Sequence, residues 1–381
     1  MADTTIMRRN NLQTILEAID HLGTATTFDL TEHTQLSLAT ISRVTGQLKA
    51  KGLILQDRKQ TTDPGRKPEI FQLNRGYGTG VYFNLSSGSL QGYLLDFGGQ
   101  ILEQTQSPVD SSLCPDAFLL LAKAQLNTLA KTHPAPLALC LTLPGQQDKE
   151  RGTICRIPNF PKFEGTALQE SVQQAMGLPC IIGNTARITA WGHFLARRHN
   201  VKNLVYLDIT GDCGIGAGLV LGGRLYEDAL GLAGEVGDMI VDLRDRTGAE
   251  NRGALEEDAG LVSVLKRAEK LLPGADLHQL ELAASGGDIQ ILTLLSDAVR
   301  FWSAAIINLC AVLSPDKIVV GGAISEENTL IRNLIDRHLK AMYHRPISLA
   351  FAPKSCLCHA EGAGDLLKSY LFCRELDHID E

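Results

Sequence analysis

From Gly80 onward the chain runs through strands and helices in one repeated order, and that repetition limits the fold more than any other feature. Residues 81–109 (VYFNLSSGSLQGYLLDFGGQILEQTQSPV) read as three strands in a meander, with Gly98-Gly99 turning the second strand into the third. A helix follows around 115–132, then the strand PLALCLTLPG at 136–145. Residues 180–198 (CIIGNTARITAWGHFLARR) are a strand that runs straight into a helix. The series resumes at 203–227 (NLVYLDITGDCGIGAGLVLGGRLYE) as strand, glycine-rich turn and return strand. It ends with SPDKIVVGGAIS at 314–325, a buried strand opening on a Gly-Gly turn and a helix. Strands alternating with helices predict an α/β fold, because parallel strands need helical crossovers.

The first 75 residues have a different texture. Ile6, Leu12, Ile15, Leu16, Ile19 and Leu22 recur at helical spacing, and Gly23 stops the helix. A second short helix reads from about Phe28 to His33, and Ser37 caps a third that puts Leu38, Ile41, Val44 and Leu48 on its buried stripe. Its opposite face carries Ala39, Thr40, Ser42, Arg43 and Gln47, small hydroxyl, amide and guanidinium groups suited to base edges and phosphates. Beyond Gly52 a polar hairpin bears Pro64-Gly65-Arg66-Lys67-Pro68 at its tip. Two cations on an extended backbone suit a phosphate or a narrow minor groove. Three helices and a basic hairpin predict a winged helix-turn-helix over 1–75, with Ser37, Ala39, Thr40, Ser42, Arg43, Gln47, Lys49, Arg66 and Lys67 as its candidate DNA contacts. A protein-interaction module with the same helix order is the alternative.

The charge supports that division. The chain carries a net charge of −7, yet residues 37–68 hold seven cations against two aspartates, a local +5 that leaves −12 elsewhere. A basic reader on an acidic body would show this asymmetry. With 381 residues, 44% hydrophobic and 21% charged, the composition is that of two or three globular domains. No run of 18 apolar residues occurs, and no apolar stretch follows the N-terminal arginines, so neither a membrane helix nor a secretory leader is expected and the cytoplasm is the predicted location. Nine scattered cysteines are then expected as free thiols. Cys356 and Cys358, followed by His359, are the one close pair. Read as a strand, the two would point to opposite faces, so no metal is expected there.

The motifs LPG (143–145), RIPNFP (156–161), GNTARITAWGHF (183–194) and TGDCGIGAGLVLGGRLYEDALGLAGEVGD (210–238) carry a specific resemblance, continued by GALEEDAG (253–260) and SPDKIVVGGAIS (314–325). The chain resembles the ROK family of repressors, open reading frames and kinases. A winged helix ending in Gly-Arg-Lys-Pro resembles its regulator branch, the xylose and N-acetylglucosamine type of repressor. The resemblance implies a two-lobed actin-like (ribonuclease H-like) sugar-kinase fold behind the winged helix. Its N-lobe would span 76–190, completed by a C-terminal helix at 362–381, and its C-lobe 191–361.

What the resemblance implies for chemistry turns on departures from the family pattern. Family kinases use the aspartate of an Asn-Asp pair to deprotonate the sugar hydroxyl; the matching pair here is Asn184-Thr185, and threonine has no conjugate base near neutral pH. The phosphate loop Asp-x-Gly-x-Thr becomes Asn84-Leu85-Ser86-Ser87-Gly88-Ser89, without the aspartate that organises magnesium. The family's zinc ligands become Asp238, Thr247, Ala249 and Ala254. No catalysis, cofactor or metal is therefore expected. A sugar-shaped pocket survives by matching: Asn159, Asn184, Thr185, Glu235, Asp238 and Glu256, with Arg156 or Arg187 near enough to offset a phosphate. These features predict a regulator, a repressor of carbohydrate genes that binds double-stranded operator DNA as a homodimer or a dimer of dimers and responds to a sugar between the lobes. Control by a protein partner such as a phosphocarrier, and a sugar kinase bearing a DNA-binding domain, are the alternatives. Apolar helices at 288–313 and 365–376 can serve subunit contacts or the core.

Overall fold

The computed structural model describes residues 2–58, 69–148, 151–211, 213–228, 231–242 and 254–377. The N-terminal unit contains α1 (Ala2–Leu22), β1 (Thr24–Thr26), α2 (Thr27–Thr34), α3 (Leu38–Ala50), β2 (Ile54–Arg58) and β3 (Glu69–Leu73). Its sheet has the order β1-β3-β2, with Ile54 opposite Leu73 and Arg58 opposite Glu69. Leu12, Ile15, Leu16 and Ile19 of α1 meet Ile41, Val44 and Leu48 of α3 in its core. Two details depart from the sequence reading. Leu38, expected on the buried stripe, is 63% exposed in the first turn of α3, left uncovered by the described residues. The strand β1 was not anticipated; three residues are too short for a periodic signal, and its pairing with β3 is long-range.

The remainder forms two five-stranded sheets. The first uses β4 (Thr79–Leu85), β5 (Ser89–Asp96), β6 (Ile101–Pro108), β7 (Pro136–Leu143) and, after the small hairpin of β8 (Gln146–Asp148) and β9 (Thr153–Arg156), β10 (Cys180–Asn184). Helices α4 (Pro115–Leu129), α5 (Leu168–Met176) and α6 (Thr185–Leu195) connect or follow these strands. The second sheet uses β11 (Leu204–Ile209), β12 (Ile215–Leu221), β13 (Arg224–Leu225), β14 (Lys317–Gly322) and β15 (Leu349–Phe351). Its helices are α7 (Leu255–Ala259), α8 (Leu261–Ala268), α9 (Leu277–Ser285), α10 (Ile289–Leu313) and α11 (Thr329–Met342). The sheet orders are β10-β7-β4-β5-β6 and β13-β12-β11-β14-β15. Within each sheet, the first three strands are antiparallel neighbours and the last two run parallel to the first. One topology therefore occurs twice, as the repeated element order requires.

The final helix, α12 (Cys358–Asp377), joins the parts. Its Leu367, Leu371 and Phe372 share one core with Tyr82 and Phe97 of the first sheet and with Ile15 and Ile19 of α1. Polar contacts frame that core: Arg9 meets Asp377 at 3.0 Å, Lys368 meets Asp20 at 2.9 Å, and the Tyr77 hydroxyl donates to Glu375 at 2.6 Å. Against α6, α12 packs backbone to backbone: a Cβ on Gly192 would lie 1.8 Å from the Cys358 carbonyl oxygen, and one on Gly362 would lie 2.2 Å from that of Ile188. Cys356 lies in the turn before α12 and Cys358 is its first residue, so the pair is not on a strand. The apolar helix near 288–313 is α10, long and apolar enough to span a membrane. Its Ile291, Leu295, Trp302 and Ile306 lie in the second sheet's core, where the Trp302 indole donates to the Ala259 carbonyl at 2.8 Å.

Candidate functional site

The predicted DNA-reading residues fall on one face of α3. Ser37 is the N-cap: its hydroxyl accepts the Thr40 amide at 3.3 Å and lies 2.9 Å from the Thr40 hydroxyl. Ala39, Ser42, Arg43 and Lys49 are exposed, Thr40 and Gln47 half-buried. Arg43 donates to Gln47 at 3.3 Å across one turn, so guanidinium and amide stand side by side. A rigid helix, its back locked by Ile41, Val44 and Leu48, presents short polar groups and two cations outward. The other predicted cations, Arg66 and Lys67, lie outside the described residues.

A second candidate site opens between the two sheets, a cleft of about 200 Å³ at the C-terminal ends of β4, β7, β10 and β11. This is where an α/β sheet presents loop ends and helix N-termini to a ligand. From the first sheet come Ser86, Gln146, Arg156, Asn184 and Thr185; from the second, Asp208, Thr210, Glu235 and Glu256. Asn184 caps α6 by accepting the Arg187 amide at 3.2 Å, and its amide nitrogen donates to the Gly145 carbonyl at 3.0 Å. Thr185 donates to Asn84 at 3.3 Å, and Asn84 also accepts from Thr142 at 2.9 Å. The Thr142 hydroxyl lies 2.7 Å from that of Tyr82, which lies 3.1 Å from His359 Nδ1. Asn84 is thus a buried neutral amide with its hydrogen bonds made.

The opposite wall is acidic. Gly214 has φ 96°, and a Cβ there would lie 2.2 Å from Glu256 Oε2, so the glycine turn closes directly over that carboxylate. The Ile215 amide donates to the same oxygen at 3.2 Å. Burial raises the Glu235 carboxyl above its ordinary range, and Asp238 and Glu256 reinforce the shift. Burial also pushes Asp208 up to about 6, although the Tyr206 hydroxyl donates to it at 3.4 Å. Of the six residues matched to sugar contacts, Asn184, Thr185, Glu235 and Glu256 line this cleft. Asn159 and Asp238 do not. The Asn159 amide reaches Sγ of Cys213, itself on the cleft wall, at 3.7 Å, and Asp238 lines an adjoining cavity that shares Arg156 and Glu256. Of the two arginines, Arg156 lines the cleft, whereas the Arg187 guanidinium is buried and donates to the Gly231 carbonyl. Sequence reasoning missed Asp208, a single carboxylate within the apolar strand β11 and therefore visible as an anomaly. The family's zinc finds no support in these residues: Ala254 offers no donor atom, Asp238 supplies a carboxylate in place of an imidazole, and Thr247 and Ala249 lie outside the described residues.

The comparisons agree with this architecture. The model of the ROK family matches residues 88–362. A putative xylose repressor of Caldicellulosiruptor sp. (strain Rt8B.4) is 25% identical over 346 residues, covering 85% of this chain and 86% of its own. The xylose repressor of Bacillus subtilis is 23% identical, covering 87% of each chain. The N-acetylglucosamine repressor of Shigella flexneri is 23% identical, covering 88% of this chain and 86% of its own. Among solved structures, a ROK family transcriptional regulator described as a homologue of the Escherichia coli MLC protein superposes with a TM-score of 0.81 at 23% identity, over 98% of this chain and all of that one. A ROK family glucokinase from Streptomyces griseus reaches a TM-score of 0.63 at 20% identity, over 76% of this chain and 99% of its own. The kinase is nearly spent on three quarters of this chain; the regulator extends over the rest. With the family model matching residues 88–362, well over half of the sequence, this chain belongs to the ROK family.

Proposed function

We propose that the chain is a one-component transcriptional repressor: residues 1–75 bind operator DNA, and the cleft between lobes 76–190 (with α12) and 191–361 takes a neutral sugar that releases it. The observation that carries this reading is the pairing of two surfaces in one chain. The exposed face of α3 offers Ala39, Ser42, Arg43 and Lys49, with Thr40 and Gln47, to a major groove. The cleft offers Thr185, Glu235 and Glu256, with Asp208, to vicinal hydroxyls. Three carboxylates against Arg156 disfavour a phosphorylated ligand. The relatives named as xylose and N-acetylglucosamine repressors make those two sugars the first to try. A homodimer is part of the proposal, since one short recognition helix reads too few bases and paired half-sites supply the rest.

Phosphoryl transfer is not part of it. Thr185 cannot accept the hydroxyl proton, and Asn84 places a neutral amide where magnesium would need a carboxylate. The test is thermal unfolding of the full chain with xylose, N-acetylglucosamine, further neutral monosaccharides and their phosphates. A neutral sugar should raise Tm by several degrees, Glu235→Gln should blunt the rise, and the phosphates should have no effect. If no sugar raises Tm, the cleft is not an effector site; sugar phosphate formed from ATP would make the chain a kinase.

A further inference from the structure

Away from the cleft, α6 and the turn before α12 bring together three soft ligands. His193 of α6, Cys356 of the turn and Cys358 at the start of α12 each offer one ligand atom, and these atoms all lie within 4.8 Å of one another. Cys358 Sγ is 3.3 Å from His193 Nδ1, and the Cys358 amide donates to Cys356 Sγ at 3.3 Å. We propose that this cluster is a binding site for a d10 thiophilic cation, Zn²⁺ above all, held by Cys356, Cys358 and His193. Around Zn²⁺, with bonds near 2.3 Å to sulfur and 2.0–2.1 Å to nitrogen, tetrahedral edges come to roughly 3.5–3.8 Å. The Cys358–His193 separation of 3.3 Å already lies near that spacing, and no pair in the cluster exceeds it by more than about 1 Å.

The fold prepares the arrangement. Gly192 lets the α6 backbone touch the Cys358 carbonyl, where any Cβ would collide, and the adjacent His193 is thereby held against the thiols. Its ring stacks on Tyr206 at 5.0 Å between centroids, and it is 1% exposed. Its Nδ1 is the nitrogen turned to the Cys358 thiol, while Nε2 is buried with no partner among the described residues. The Arg197 guanidinium, half-buried, lies 3.3 Å from His193 Nδ1 and donates to the His193 carbonyl at 3.0 Å, so a bound cation would have to displace it from the ring nitrogen. Cys356 and His193 also line a cavity of about 430 Å³ with Thr189 and Asp208, so the fourth position of a Cys₂His site faces water. The set of two thiolates and an imidazole selects zinc or cuprous copper over magnesium or calcium.

The sequence spacing argued against a metal because it treated Cys356 and Cys358 as strand residues. A turn entering a helix puts both sulfurs on one side, and the third ligand comes from 163 positions earlier. The bound cation would fasten the start of α12 to α6, whose N-cap Asn184 lines the cleft, while the far end of α12 meets α1 through Asp377 and Arg9.

The test is anaerobic titration of the reduced, chelator-treated full chain with Co²⁺, followed by Zn²⁺. One Co²⁺ per chain should bind, with a thiolate charge-transfer band and the strong visible bands of tetrahedral cobalt, and one equivalent of Zn²⁺ should bleach both and raise Tm. Cys356→Ser and His193→Gln, each checked for native circular dichroism, should weaken binding at least tenfold, and Cys155→Ser, at an exposed cysteine outside the cluster, should not. If His193→Gln fails to fold, Cys356→Ser at its half-buried position decides. Absence of cobalt bands in the wild type, bands that persist in Cys356→Ser, or an air-formed Cys356–Cys358 disulfide with no metal bound by the reduced chain would each overturn the assignment.

Discussion

Asp208 stands near the end of a strand whose other residues are apolar, and its burial sets a pH dependence for folding. Its carboxyl, ordinarily near 3.8, is raised to about 6 in the folded chain. Between those values the unfolded chain releases a proton that the folded chain keeps, so this group's contribution falls as pH rises from about 4 to about 6. Asp208→Asn keeps the acceptor for Tyr206 and removes the buried charge. Denaturant titrations should find the variant more stable than the wild type at pH 7.5 by on the order of 1–3 kcal/mol, with the gap closing at pH 4. A gap that is unchanged with pH would mean that water entering the cleft already solvates the carboxylate. The same residue marks a limit of the sequence reading. Glu235 and Glu256 were legible because they stand in glycine-punctuated motifs, whereas Asp208 belongs to no such motif and its only signal is to be the one carboxylate in an apolar run.

At the level of elements, the order and type of most segments could be read from periodicity, because strands of five to eight residues and helices of ten or more carry clear signals. What could not be read depends on contacts distant in sequence. Leu38 follows the helical stripe of Ile41, Val44 and Leu48, yet no neighbour covers the first turn of α3. Asn159 and Asp238 match sugar-contact motifs, yet Asn159 stands behind Cys213, which lines the cleft, and Asp238 lines the adjoining cavity. The segment that bears Arg66 and Lys67, expected as a wing, is where a prediction is cleanest. Arg66→Ala with Lys67→Ala should weaken DNA binding across sequences and lower the slope of log K against log salt by about two. An unchanged slope would assign those cations some role other than phosphate contact.

Across the whole molecule, α12 is the physical link between the cleft and the N-terminal unit, the proposed input and output. It packs on α6, whose N-terminus lines the cleft, and it shares a core with α1 of the N-terminal unit. On the proposed reading, a ligand that draws the two sheets together acts on the helix that packs against the N-terminal unit. Linkage makes the effect reciprocal: whatever factor the sugar removes from DNA affinity, DNA removes from sugar affinity. The most direct measurement is fluorescence anisotropy of the full chain on a duplex selected from a random library, at fixed salt, with and without the sugar that raises Tm. The selected duplex should bind at least about a thousandfold tighter than a scrambled one. Saturating sugar should weaken that binding by about tenfold or more. Equal affinity for both duplexes, or a sugar that binds without changing the Kd for DNA, would contradict the account.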